Sequence, residues 1–122
     1  MADNRLRSQE MRVKMSKPEL FDVVELAIGL PAAALRAGTR GAIVHCHPDD
    51  TYEVEFTSTE GETLALVPLS AQQFIIVWRA DTQTWVPAAE QIAELLVHLP
   101  KEAEREVLDF ARFLHARQRE TA

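Results

Sequence analysis

Tyr52-Glu53-Val54-Glu55-Phe56 alternates apolar and acidic side chains, the period of a strand with one buried and one solvated face. In this reading Tyr52, Val54 and Phe56 line a core while Glu53 and Glu55 face water. Turn chemistry bounds the stretch on both sides, with Pro48-Asp49-Asp50 before it and Thr59-Glu60-Gly61 after it. Upstream, residues 42–47 are strand-like, and the two glycines of Gly38-Thr39-Arg40-Gly41 are free to adopt positive φ in a tight turn leading into them. Further back, Leu20, Phe21, Val23, Val24, Leu26 and Ile28 form an apolar run that breaks at Gly29 and Pro31. This run predicts a buried first strand, with a helix as the competing reading. Downstream, residues 63–69 return as an apolar strand, residues 70–73 make one tight turn, and residues 74–78 form the last strand.

Five short strands within about sixty residues predict a small closed or nearly closed β-barrel, because closure removes exposed sheet edges. A long first connection, two tight hairpins and a single-turn break before the last strand make SH3-like the economical choice. Residues 80–87 read as a linker, and Pro87 suits the first turn of a helix. Ile92, Leu95, Leu96 and Leu99 then recur at helical spacing, and Pro100 ends that helix. A second helix follows from Lys101, with Glu102, Glu104 and Glu106 in its early turns and Arg112, Arg117 and Arg119 late, as the helix dipole favours. Its stripe is Ala103, Val107, Phe110, Ala111 and Leu114. The expected organisation is a flexible basic arm (1–17), an SH3-like five-stranded β-barrel (18–79), a linker (80–87) and an antiparallel helical hairpin (88–119): mainly β with C-terminal α.

Charge divides along the same boundaries. Residues 1–17 carry five bases against two acids, residues 18–79 nine acids against Arg36, Arg40 and Arg79, and the remainder eight acids against five bases. An acidic body disfavours phosphate backbones and favours a basic partner surface. Cys46 is the single cysteine, which excludes an internal disulfide and a paired-cysteine metal framework and agrees with a reducing compartment. No signal-type apolar run follows the basic start, so a cytoplasmic location is expected, without membrane association.

Three stretches, Leu20-Phe21-Asp22-Val23-Val24-Glu25-Leu26, the run from Leu35-Arg36-Ala37-Gly38 through Thr39-Arg40-Gly41-Ala42-Ile43-Val44-His45, and Tyr52-Glu53-Val54-Glu55-Phe56, occur in the order seen in a bacterial family. Over roughly residues 18–77 the chain resembles the domain of unknown function 4926 family. That resemblance implies a small SH3-like barrel found in toxin–antitoxin-like contexts, and hence a neutralising role; it carries no catalytic residues to transfer. Residues 92–114, with Leu99-Pro100-Lys101-Glu102 at their centre, are similar to the domain of unknown function 2281 family, a helical module also met in antitoxin-like proteins.

Candidate chemistry is sparse. His45-Cys46-His47 places two imidazoles on one strand face, where they could share a metal ion, but a third ligand is not supplied by spacing, and His98 and His115 lie in the helices. The bland alternative is a strand end with exposed histidines and a core cysteine. Pro48-Asp49 with Glu53 and Glu55 loosely resembles a magnesium nuclease signature, yet no lysine occurs between Pro18 and Pro100. There is no Gly-x-Ser-x-Gly elbow, phosphate loop or dinucleotide fingerprint. Trp78 and Trp85 bracket the linker and either anchor a partner or seat the hairpin, and Phe110 and Phe113 pose the same choice, with docking on the barrel expected over partner capture.

The sequence therefore points to a non-enzymatic binding protein without cofactors. It reads as an antitoxin-like or accessory partner that masks a basic surface of a cognate toxin or effector. The candidate contact residues are Glu53, Glu55, Trp78, Trp85, Phe110 and Phe113. The alternative is a nucleic-acid-binding or regulatory SH3-like module acting through Arg5, Arg7, Arg12, Lys14 and Lys17. The hairpin stripe makes a homodimer a further expectation.

Overall fold

The computed structural model describes residues 17–121, with side chains through Arg119. Six strands and two helices follow in order: β1 (Val23–Leu26), β2 (Arg40–Cys46), β3 (Thr51–Thr57), β4 (Thr63–Ser70), β5 (Phe74–Arg79), β6 (Thr84–Trp85), α1 (Ala88–Val97) and α2 (Lys101–Thr121). All pairings are antiparallel, in the spatial order β4-β3-β2-β1-β5-β6.

That order corrects two expectations. The sheet has six strands, and β4 and β6 are its edges, so the expected closure into a five-stranded barrel is not made among the described residues. The sixth strand lies inside the expected linker, where Trp85 pairs with Trp78 and Thr84 with Arg79. Its turn is built from polar groups that looked like linker composition. Asp81 Oδ1 accepts the Thr82 amide at 2.8 Å, the Thr82 and Thr84 hydroxyls lie 2.6 Å apart, and Gln83 takes φ 55°.

The alternation in β3 does what its period requires. Tyr52, Val54 and Phe56 are buried, and their ladder partners Leu69, Val67 and Ala65 pack on the same core. Ile43 of β2, Val24 and Leu26 of β1, and Phe74 and Ile76 of β5 complete it, with Leu35 and Val86 closing its ends. Each such side chain contributes about 1.5–3 kcal/mol relative to exposure. Pro68 sits on edge strand β4, where a missing N–H costs no ladder bond.

Strand β1 is shorter than its apolar run. Phe21 adopts φ 72°, and Glu19 donates its amide to Asp22 Oδ2 at 2.9 Å, so a turn occupies residues 19–22 and leaves Leu20 and Phe21 exposed, and Ile28, beyond the end of the strand, is exposed as well. Gly38 has the expected positive φ of 90°, but Gly41 does not. Its role is close approach: a Cβ there would lie 2.8 Å from the Glu55 carbonyl oxygen, from Val54 Cγ1 and from Phe56 Cδ1. The turn after β4 is a single 3-10 turn over Ala71–Gln73, capped by the Ser70 amide donating to Gln73 Oε1 at 2.9 Å.

Helix α1 packs against β5 through an unexpected side. The Ile92, Leu95 and Leu99 stripe stays substantially exposed, and the buried residue is Glu94. Its Oε2 accepts the Ile76 amide at 3.1 Å, while Gln91 Nε2 donates to the Val86 carbonyl at 2.9 Å. Beyond the two residues of β6, the edge of β5 is thus continued first by the Val86 amide on the Val77 carbonyl and then by the Glu94 carboxylate. No residue of α2 from 101 to 119 is buried, which overturns the expected docking of Phe110 and Phe113 on the sheet.

Candidate interaction surface

Strand pairing joins one candidate residue on each of three strands into a single row. Leu66 pairs with Glu55, Glu55 with Ala42, Ala42 with Val23, Val23 with Trp78, and Trp78 with Trp85. Directly opposed residues share a sheet face, so this row crosses all six strands on the side away from the core. The next row on the acidic half is His45, Glu53 and Pro68.

The two halves of the face differ in chemistry. On β3 and β4, Glu53 and Glu55 lie among Leu64 and Leu66, which are 60% and 55% exposed. The glutamates are half-buried and tethered, not simply solvated: Glu55 Oε2 accepts the Thr63 hydroxyl at 2.7 Å, and Glu53 Oε1 lies 3.5 Å from His47 Nε2. On β5 and β6, the Trp78 and Trp85 rings meet edge to face with centroids 6.5 Å apart. Trp85 is 63% exposed, and the Arg40 guanidinium stands 5.5 Å from its ring centroid while bonding Glu25 at 3.2 Å. That contact immobilises an exposed indole in a defined orientation.

His45 and His47 do share a face, with ring centroids 4.4 Å apart. Among the described residues no group of three or more histidine, cysteine, aspartate or glutamate side chains is arranged to hold a metal ion. Cys46 is exposed, against the expected core position. Partial desolvation, followed by the negative charges of Asp22 and Glu19, raises its thiol above the usual value, which keeps it protonated and weakly nucleophilic at neutral pH.

Phe110 and Phe113 are remote in sequence from this face and stack on each other in α2. Of the basic arm, Arg5, Arg7, Arg12 and Lys14 lie outside the described residues. Lys17 Nζ is 3.3 Å from Asp50 Oδ1 at the surface, and that carboxylate raises the lysine pKa. Among the described residues no helix is long and apolar enough to cross a membrane.

Sequence reasoning missed Asp22 and Glu94, the two buried carboxylates among the described residues. Neither has a periodic signature, since each is buried by the backbone amides that it accepts.

No curated protein and no solved structure matches the chain. A family model does match, over residues 20–76, a span that runs from the turn before β1 into β5 and stops before β6 and the helices. This segment, which carries β1 to β4 and the first three residues of β5, matches the domain of unknown function family DUF4926.

Proposed function

We propose that the chain is a non-catalytic binding protein of cytoplasmic type, an antitoxin-like or accessory partner that masks a basic surface on a cognate effector. The observation that carries this reading is the six-strand row with Glu55 toward one end, Glu53 in the row beside it, and an oriented, exposed tryptophan at the other end. Exposed aromatics held rigid beside charged groups are the usual anchors of protein interfaces. Glu53 and Glu55 supply the attraction for a basic surface, Leu64 and Leu66 supply apolar area beside them, and Trp85 supplies it at the far end of the row. Occupancy, not chemistry, is the mode of action.

An SH3-like reading of the sheet fits the same proposal. It is supported by the pairing of β1 with both β2 and β5 and by the single 3-10 turn between β4 and β5.

Co-expression with the product of the neighbouring operon gene tests the reading. The expected result is a complex that co-purifies and relieves that product's toxicity, with Glu53→Lys/Glu55→Lys releasing it. Absence of both complex and relief removes the proposal. Nucleic-acid affinity that falls on deleting residues 1–17 would transfer the function to the basic arm.

A further inference from the structure

Helix α2 spans 21 residues, about 30 Å at the α-helical rise, and none of its described side chains is buried. Four of its apolar residues line one side, with Leu108 and Phe113 on the two flanks of that line. Ala103, Val107, Phe110 and Leu114 recur at spacings of four, three and four, the seam pattern of paired helices. Phe110 and Phe113 are 61% and 56% exposed, and their rings stack with centroids 6.1 Å apart. Most helical stability in proteins comes from covering such a face.

The charge order along the helix says what covers it. From Lys101 to Asp109 there are four acids against two bases, whereas from Phe110 to Arg119 there are three arginines and no acid. The order is also antisymmetric about the Phe110–Ala111 bond. Counting outward from that point, Asp109 mirrors Arg112, Glu106 mirrors His115, Glu104 mirrors Arg117 and Glu102 mirrors Arg119. The apolar positions mirror as well, with Leu108 against Phe113 and Val107 against Leu114.

A second copy of the helix running antiparallel about this point sets Asp109, Glu104 and Glu102 level with arginines and Glu106 level with His115, twice over by two-fold symmetry; Asp109 and Arg112 also pair within one helix at 3.8 Å. A parallel copy sets every charge level with itself, which is repulsive. A uniformly basic or uniformly acidic partner complements only one half of the helix. We propose that α2 pairs with α2 of a second copy in antiparallel orientation, with the two-fold axis near Phe110 and Ala111, and that the chain is a homodimer through this contact. The surface involved is separate from the sheet face assigned above to an effector, so either proposal can fail alone.

The test uses the full chain carrying Cys46→Ser, which leaves no other thiol. Val107→Cys and Leu114→Cys variants are oxidised separately and as a mixture. The mixture is expected to form the disulfide-linked dimer in large excess over either variant alone, because a disulfide needs Cα atoms within about 7 Å and each position lies level with the other. Self-linking of each variant at least as efficient as linking in the mixture indicates a parallel pair and overturns the proposal. Light scattering of the unmodified chain is expected to give twice the 13.7 kDa monomer mass. Phe110→Glu/Phe113→Glu is expected to weaken self-association at least tenfold with helix content in circular dichroism retained. A monomeric mass at micromolar concentration, or a dimer indifferent to that double substitution, also overturns it.

Discussion

Asp22 Oδ1 accepts the backbone amide of Ala80 at 2.8 Å across 58 residues of chain, while its Oδ2 accepts the Glu19 amide at 2.9 Å. One buried carboxylate thereby fixes both the turn that starts β1 and the turn that leaves β5. These are adjacent interior strands of the sheet.

Replacing Asp22 by Ala leaves two amides without their acceptor in a buried site. Hydrogen bonds to charged groups contribute about 1.5–3 kcal/mol each, so a loss of about 3 kcal/mol or more is expected in denaturant unfolding. Asp22→Asn keeps one carbonyl oxygen and should fall between wild type and Asp22→Ala. Equal stability of all three would show that water replaces the carboxylate at no cost.

Glu94 sets up the opposite pH behaviour from an ordinary surface acid. Burial raises its pKa, and the Ile76 amide and the Arg79 charge only partly offset that. Its folded value therefore exceeds the unfolded one, and between the two the native state binds the extra proton. Stability contributed by this group is present below the ordinary glutamate value and is lost as pH rises through the raised folded value. Glu94→Gln keeps an acceptor for Ile76 without the charge, so the difference between wild type and Gln variant should shift in favour of Gln from pH 4 to pH 8. Glu94→Ala instead leaves the Ile76 amide unpaired, which costs about 1–3 kcal/mol, most at acid pH and less as the wild-type carboxyl ionises. Urea midpoints at several pH values check both variants.

Much of the sheet was legible locally because strand period and turn residues are short-range signals. Tyr52, Val54 and Phe56 stand buried where their alternation puts them, and the second helix starts at Lys101 after Pro100. What stayed hidden depends on partners distant in sequence. Two residues of β6 carry no period, and the burial of Asp22 and Glu94 is decided by amides 58 and 18 positions away. The same is true of the face uniting Glu55 with Trp78 and Trp85, since register between strands, not spacing along them, brings these residues into one row. For α1, amphipathic spacing identified the helix but not its seated side, because hydrogen bonds from Gln91 and Glu94 outcompeted the apolar stripe for the edge of β5.

Glycine positions separate backbone freedom from steric room. Gly41→Ala pushes a methyl group against a backbone oxygen and two core side chains at 2.8 Å, an overpacking that costs about 1–3 kcal/mol. The oxygen belongs to β3, so it cannot retreat without loosening the β2–β3 ladder. Gly29→Ala meets nothing closer than 3.6 Å and should be near neutral. Thermal unfolding of the two variants side by side checks the contrast, and equal melting temperatures would argue against the close approach.

Trp85 separates stability from recognition. It is 63% exposed and held by Arg40 and the edge of Trp78, contacts worth about 0.5–1 kcal/mol at an exposed site. Trp85→Ala should therefore change the unfolding midpoint little. As an oriented aromatic on the proposed interface, the same side chain should cost an effector complex about 2 kcal/mol or more when removed, read as a roughly thirtyfold weaker Kd by calorimetry. Arg40→Ala tests the orientation itself: it leaves the indole in place but frees it, so binding should weaken less than in Trp85→Ala and tryptophan fluorescence anisotropy should fall. Full affinity in Trp85→Ala would move the contact surface away from the β5–β6 end and leave Glu53 and Glu55 with Leu64 and Leu66 as the remaining candidates on this face.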